Sequence, residues 1–345
     1  MSTINTRTPY ANEIPLLQEI WKSGFGDNPD IKLFFDHYYS PELCVVACVN
    51  DSPAGAGYLI PLGDFVCGDK RIPCAYIYSI AVLTEYRGVG LGNAVVRGLL
   101  DRGYTAGYPL IVLCPADDTL FEYYAARTEL REWFYISETI KQNSDNEQSP
   151  VSSLPASVSP LPGSASTLLT SVAPHLTSAV LSSPDTAPVD FSDAYAFKSS
   201  LSYSGTCLSE ITAEDYWALR VRLLAGTPRI EHDLRAIEYQ QLLCRFYGGG
   251  LFKIELNGQE CCATVEIEPN NRIAIKELLA PDEQISGVLS ALCARFPSSK
   301  YTIRTPIQSI TKKTSIRSFA MVAASNADFP VCDFSTPPWF GPAFD

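Results

Sequence analysis

Apolar positions in the first 142 residues switch repeatedly between a helical and a strand period, and the switches mark out the elements. Leu16, Leu17, Ile20 and Trp21 share one face of a helix that carries Glu13 and Pro15 in its first turn and that Asn12 can cap. The stretch from Gly24 to Pro29 breaks this helix, and Ile31 to Tyr39 predicts a second, shorter one. Leu43 to Val49 and Gly55 to Leu62 read as strands around Asn50-Asp51-Ser52-Pro53, a turn sequence. Arg71 to Val82 predicts a longer third strand, followed by a helix that ends near Gly103. Leu110 to Cys114 is a short apolar run of the buried-strand kind. Pro115-Ala116-Asp117-Asp118 then opens a helix containing Phe121, Tyr123 and Tyr124, and Trp133 to Ile140 finishes a sheet.

The character changes after residue 142. Seven prolines between Pro150 and Pro188 fall among Ser, Thr and Ala, with no Lys or Arg, a composition that supplies no core. The expected organisation is a first domain at 1–142, a linker at 143–190 and a second domain at 191–345. In the second domain Thr212 and Asp215 have capping-box spacing ahead of Leu219, Leu223 and Leu224. Leu251–Leu256 and Cys261–Glu268 are strands joined by the hairpin pair Asn257-Gly258. A strand at Ile273–Leu279, a helix at Gln284–Arg295 and a strand at Tyr301–Thr305 follow. The aromatic tail, with Phe329, Phe334, Trp339, Phe340 and Phe344, is expected to pack on a sheet rather than to contact substrate.

Composition narrows the classes. The net charge of −12 leaves no basic face for nucleic acid, and it is mildly compatible with cationic amines. Met1 to Pro9 shows no signal pattern, and no apolar run reaches membrane-span length. Eleven cysteines without a Cys-x-x-Cys pair, beside three histidines, suggest neither a disulfide framework nor a metal site. Cys44, Cys48, Cys67, Cys74 and Cys114 read as small buried residues, and Cys261 and Cys262 as strand neighbours facing opposite sides. The expected compartment is the reducing cytoplasm.

The chemistry concentrates in Tyr78 to Val96, a strand, a basic glycine-rich turn and a helix. Glycines let the backbone approach a ligand closely, and the free N–H groups of a helix N-terminus attract anions. Arg87 adds a fixed charge. A dinucleotide pattern fails because Asn93 stands where its third glycine belongs, and no Gly-Lys-Ser/Thr ends the turn. What the residues do fit, five positions after Val82, is Arg-x-x-Gly-x-Gly over Arg87 to Gly92.

That hexapeptide, in its strand–helix setting, resembles the pyrophosphate loop of the GCN5-related N-acetyltransferases (GNAT). The element order over residues 1–142 is similar too. The resemblance implies an α+β fold with a mixed sheet, which splays between the strand ending at Val82 and the strand ending at Cys114. It implies acetyl-CoA as cosubstrate, bound by Ile80, Ala81 and Val82 along the pantetheine arm and by Arg87, Gly88, Val89, Gly90, Leu91, Gly92 and Asn93 at the phosphates. The acceptor is expected to be an amine-bearing small molecule or peptide, with no metal, nucleic acid or membrane involved. Tyr124 aligns with the family's acid, which protonates the departing thiolate. Thr128 and Glu129 stand in place of the family's Gly-Phe, and Tyr123 is a possible substitute. The strand Tyr76 to Ser79 carries no carboxylate for a base, leaving ordered water, Glu122 or the chain terminus. In some tandem members of the enhanced-intracellular-survival type the terminal carboxylate reaches the active site, and a chain ending Ala343-Phe344-Asp345 is able to do likewise. The second half resembles another such domain, degenerate for the cofactor because Asp282 and Glu283 replace the loop. It would shape the substrate cleft or serve association. A rival reading is a coenzyme-A-binding sensor or interaction module without turnover.

Overall fold

The computed structural model describes residues 4–142, 201–203, 205–307, 315–325 and 337–344. The expected linker at 143–190, Phe329, Phe334 and Asp345 lie outside these. The first half runs β1 (Ile4–Arg7), α1 (Ile14–Phe25), α2 (Asp30–His37), β2 (Cys44–Val49), β3 (Ser52–Cys67), β4 (Lys70–Val82), α3 (Leu91–Thr105), β5 (Leu110–Leu113), α4 (Thr119–Arg127) and β6 (Arg131–Gln142). The second runs β7 (Leu201–Tyr203), β8 (Thr206–Glu210), α5 (Ala213–Leu223), β9 (Arg229–His232), α6 (Leu234–Phe246), β10 (Gly250–Leu256), β11 (Gln259–Glu268), β12 (Arg272–Leu279), α7 (Ile285–Arg295), β13 (Lys300–Thr305) and β14 (Ser315–Ala324).

Local signals place many of these elements. Asn257 and Gly258 both take positive φ, as a two-residue hairpin turn between β10 and β11 requires. The Thr212 hydroxyl accepts the Asp215 N–H at 3.1 Å and caps α5. Asn12 does not cap α1. It sits in a short 3₁₀ turn, and α1 begins at Ile14 after Glu13, whose carboxylate is taken by Arg7 at 2.6 and 2.8 Å and by the Tyr10 N–H at 2.7 Å.

The strands form one sheet in the order β1-β2-β3-β4-β5-β14-β6-β13-β12-β11-β10-β8-β7, with β9 pairing β3. The sheet of the first half does not close with β6. Strand β14 enters between β5 and β6, antiparallel to both, with Met321 opposite Leu113 and Ile316 opposite Ser137. Strand β13 then continues the sheet on the far edge of β6. The described residues of 1–143 and 200–345 thereby belong to one compact unit.

Three apolar cores cover the sheet. One lies under α1, α2, α5 and α6 and draws on both halves, from Leu17, Trp21 and Phe34 to Tyr216, Ile237 and the tail residues Trp339, Phe340 and Phe344. The second lies under α3 and α4, and the third under α7. Cys261 and Cys262 enter different cores, as their strand alternation predicts. Cys67, expected as a simple buried thiol, is instead disulfide-bonded at the end of β3. Nine other cysteines among the described residues form no disulfide.

A buried charge network ties the tail down. Glu277 accepts from Arg220 at 3.0 and 3.1 Å, from Tyr216 at 2.7 Å and from the Trp339 indole at 2.6 Å, all of them shielded from water. Removing one member strands a charge in the core. Arg220→Ala is therefore expected to cost about 3–5 kcal/mol and to lower the thermal midpoint by several degrees, read by circular dichroism.

Candidate active site

The site begins where two strands part. Strand β4 pairs with β5 in parallel only from Cys74 to Ile77, opposite Leu110 to Leu113. Beyond that point β5 has ended, and Tyr78 to Val82 run on with no strand partner on that side among the described residues. On the other side the register against β3 slips: Tyr58 faces Tyr78 and Ala56 faces Ala81, so Ser79 and Ile80 together oppose Gly57. Ser79 takes φ +52°, a left-handed conformation uncommon outside glycine, and the bulge re-aims the backbone into the gap. A cavity of about 900 Å³ fills the divergence. Gly24 of α1 packs so near that a Cβ there would stand 2.8 Å from that of Ala81, which brings the helix close to the strand.

The basic turn lies at the mouth. Arg87 lines the cavity but is turned partly inward: Nη2 donates to the Ser23 carbonyl at 2.6 Å and Nε to the Val82 carbonyl at 3.2 Å. It clasps the loop to α1 and β4, and the Val82 carbonyl is thereby occupied. Gly88 and Gly90 have φ +81° and +97°, and Gly90 is the residue that starts α3, with no side chain capping the helix. Val89 is exposed, and the Leu91 side chain is buried in the core under α3. The N–H groups of Leu91, Gly92 and Asn93 open the helix without intrahelical partners, as at any helix start. Asn93 Oδ1 is buried and unpartnered. Of the sequence-predicted residues, Ile80, Ala81, Val82, Arg87 and Tyr124 line the cavity itself; Gly88 to Asn93 form the adjoining turn.

Tyr124 reaches the cavity from α4 and is buried. Burial pushes its phenol up to about 12, reinforced by neighbouring Tyr123 and Asp117, so it stays protonated at neutral pH. Tyr123 does not line the cavity: the Arg127 guanidinium lies 4.3 Å over its ring, and its hydroxyl stands beside Gly92, 3.9 Å from where a Cβ there would be. Thr128 accounts for the missing glycine. It ends α4 in an extended conformation, donates its hydroxyl to the Tyr124 carbonyl at 2.8 Å and accepts the Leu130 N–H at 3.2 Å. Glu122 is exposed and outside the cavity.

Several lining residues escaped the sequence. Asp30, the first residue of α2, is half-buried in the wall and accepts a hydrogen bond from the Tyr247 hydroxyl at 2.7 Å. Burial raises its carboxyl above the usual range, opposed by the Tyr247 hydrogen bond and by the Lys276 charge. Asn28, beside it, has a buried Oδ1 without a partner. Arg304 of β13 and Arg317 of β14 line another wall and share the Glu138 carboxylate at 3.2 and 2.9 Å. Phe344 of the tail both packs against Tyr76 and Tyr78 and lines the cavity. Nothing local marks these residues, because they converge from widely separated parts of the chain.

A mixed sheet that splays beside a glycine-rich helix start, with a protonated tyrosine at the gap, is the architecture of an acyl-transfer fold. The family model described as "Acetyltransferase (GNAT) family" matches residues 13–124. Over that region the chain is similar to the GNAT acetyltransferase family. No curated protein matches the chain. Among solved structures, a GCN5-related N-acetyltransferase from Anabaena variabilis ATCC 29413 superposes with TM-score 0.58 at 12% identity, over 94% of this chain and 73% of that one. One from Kribbella flavida gives TM-score 0.55 at 13% identity, over 94% and 71%. Eis1 from Mycobacterium abscessus gives 0.55 at 12%, over 93% and 73%. At these identities the likeness is one of fold, and it extends over both halves. Among the described residues no helix is long and apolar enough to cross a membrane, and no acidic, Cys or His group is arranged to hold a metal ion.

Proposed function

We propose that the chain is an acetyl-CoA-dependent N-acetyltransferase, moving the acetyl group to a primary amine of a small molecule or peptide by direct attack. The observation that carries this reading is the single cavity joining the Arg87 turn, the unpaired edge of β4 and the Tyr124 phenol. The open turn suits a pyrophosphate: a Cβ at Gly88 or Gly90 would meet nothing within 4 Å, and the first N–H groups of α3, which lack intrahelical partners, follow directly in the chain. Bound acetyl-CoA supplies an acyl thioester. The backbone N–H groups of Ile80 to Val82 hold its arm and polarise the thioester oxygen. Asn28 and Asp30 receive the amine, and Asp30 takes its proton. As the C–N bond forms and the C–S bond breaks, Tyr124 protonates the leaving sulfur.

Asp30 brings a pH dependence. It must be ionised to accept a proton, and its carboxyl is raised by burial. The acid limb of the rate profile should therefore lie above the ordinary Asp value near 3.8, with activity falling as pH drops through it. Asp30→Asn should lower kcat by roughly 10²-fold and remove that limb.

We read residues 191–345 as a second, degenerate GNAT-like domain, joined to 1–142 through 143–190. The support is a repeated topology: β12 pairs β13 in parallel from Ile273 to Ile275, runs on to Leu279 and leads into α7. Where the first half has its glycine turn, the second has Asp282 and Glu283, and Gln284 bonds Cys261 and Gln259 of the neighbouring β11. Nine cysteines among the described residues that form no disulfide support residence in a reducing cytoplasm, with the Cys67 disulfide the exception.

Thiol release from acetyl-CoA across a panel of amines, peptides and aminoglycosides tests the activity. Release above background with any member is expected. Tight acetyl-CoA binding with no release from any of them would favour a coenzyme-A sensor instead.

A further inference from the structure

Asp30 and Tyr247 are 217 positions apart in sequence and 2.7 Å apart in space. We propose that Tyr247 is a positioning residue for Asp30: its hydroxyl fixes the carboxylate in the cavity wall, so that proton transfer in the first half depends on a side chain from the second. The inference rests on the proposed role of Asp30 as the proton acceptor.

The geometry favours a fixed donor over an incidental contact. Tyr247 follows α6 directly, and its backbone is held on both sides, its N–H by the Leu243 carbonyl at 3.1 Å and its carbonyl by the Ile267 N–H at 3.3 Å. Gly248, with φ +76°, then turns the chain, and Gly249 donates back to the Cys244 carbonyl at 2.8 Å. The ring is thus pinned between α6 and β11, aimed at the first residue of α2. Burial and the Asp30 hydrogen bond both push the Tyr247 phenol up, so it remains a donor over the working pH range. Among the described residues no other side chain donates a hydrogen bond to the Asp30 carboxylate. The charge that acts on it is that of Lys276 on β12, and its own charge in turn raises the phenols of Tyr78 on β4 and Tyr239 on α6.

A hydroxyl that donates to an ionised carboxylate stabilises the charged form and lowers its pKa. Here that effect partly offsets burial. Losing the hydroxyl should raise the Asp30 pKa further, by about one pH unit for a hydrogen bond to a charged acceptor. The test is a carbon-13 titration of the Asp30 carboxyl in the full chain, with the signal assigned by its absence in Asp30→Asn. The midpoint is expected to rise by about one pH unit in Tyr247→Phe. An unchanged or lowered midpoint in a folded Tyr247→Phe protein overturns the inference. Kinetics supply the second readout. In Tyr247→Phe the acid limb should move up with the midpoint, and in the Asp30→Asn background the same substitution should change kcat less than about twofold, since coupled residues are not additive. A uniform fall in kcat at every pH, with the limb in place, would mark Tyr247 as structural and also overturn it. A titration shift in Tyr247→Phe, together with a wild-type protein that acetylates no amine, would count against the proposed function and not against the coupling.

Discussion

Gly90→Asp is expected to weaken acetyl-CoA binding by more than a hundredfold, enough to abolish it at micromolar ligand. Two effects add. Gly90 holds φ +97°, where an L side chain costs about 1–2 kcal/mol. The new carboxylate would also stand at the mouth of α3, where the phosphates are proposed to lie; like charges about 4 Å apart near a surface repel by about 4 kcal/mol. Gly90→Ala separates the two. It carries the strain alone, meets no atom within 4 Å, and should lose about tenfold or less. Calorimetry reads both variants, and circular dichroism checks that each is folded. Equal affinities for Gly90→Asp and wild type would mean that the turn is not the anion site.

Tyr124→Phe carries the second large effect. The substitution keeps the ring that packs edge-on to Tyr123 at 5.3 Å and removes only the hydroxyl. Loss of a general acid lowers turnover by roughly 10²–10⁴-fold. Affinity for acetyl-CoA should stay within about twofold, because the proposed place of Tyr124 is at the sulfur end, away from the Arg87–Gly92 turn. With its phenol up at about 12, Tyr124 gives no basic limb in the neutral range. A variant that turns over at the wild-type rate would move the acid elsewhere.

What the sequence reveals and what it hides divide along a physical line. The Arg87–Gly92 turn, the Asn257-Gly258 hairpin and the Thr212 cap are local devices, written in a few adjacent residues whose chemistry demands that conformation. Long-range pairing leaves no such trace. Strand β14 is an apolar run whose place between β5 and β6 depends on partners some 200 residues away in the chain, and β9 pairs β3 across a similar span. The Ser79 bulge is silent because serine gives no sign of a positive φ. Asp30 is hidden for another reason: the family pattern points to a carboxylate on β4, whereas the structure brings one from α2 and bonds it to Tyr247 at the end of α6. The Thr128 departure from the family's glycine has a structural answer, since a side-chain hydrogen bond ends α4 without a left-handed residue.

The second half also changes meaning once the sheet is seen. It contributes β13 and β14 to the sheet around the gap, and Arg304, Arg317 and Phe344 to the cavity wall. This supports a role in shaping the acceptor side of the cleft.

The central claim is that one donor site, built on the Arg87–Gly92 turn, serves the whole chain. Calorimetric titration of the full chain with acetyl-CoA tests it most directly. The expected result is saturable binding of one acetyl-CoA per chain, lost in Gly90→Asp. Absence of binding at sub-millimolar acetyl-CoA, or two equivalent sites per chain, would contradict the account.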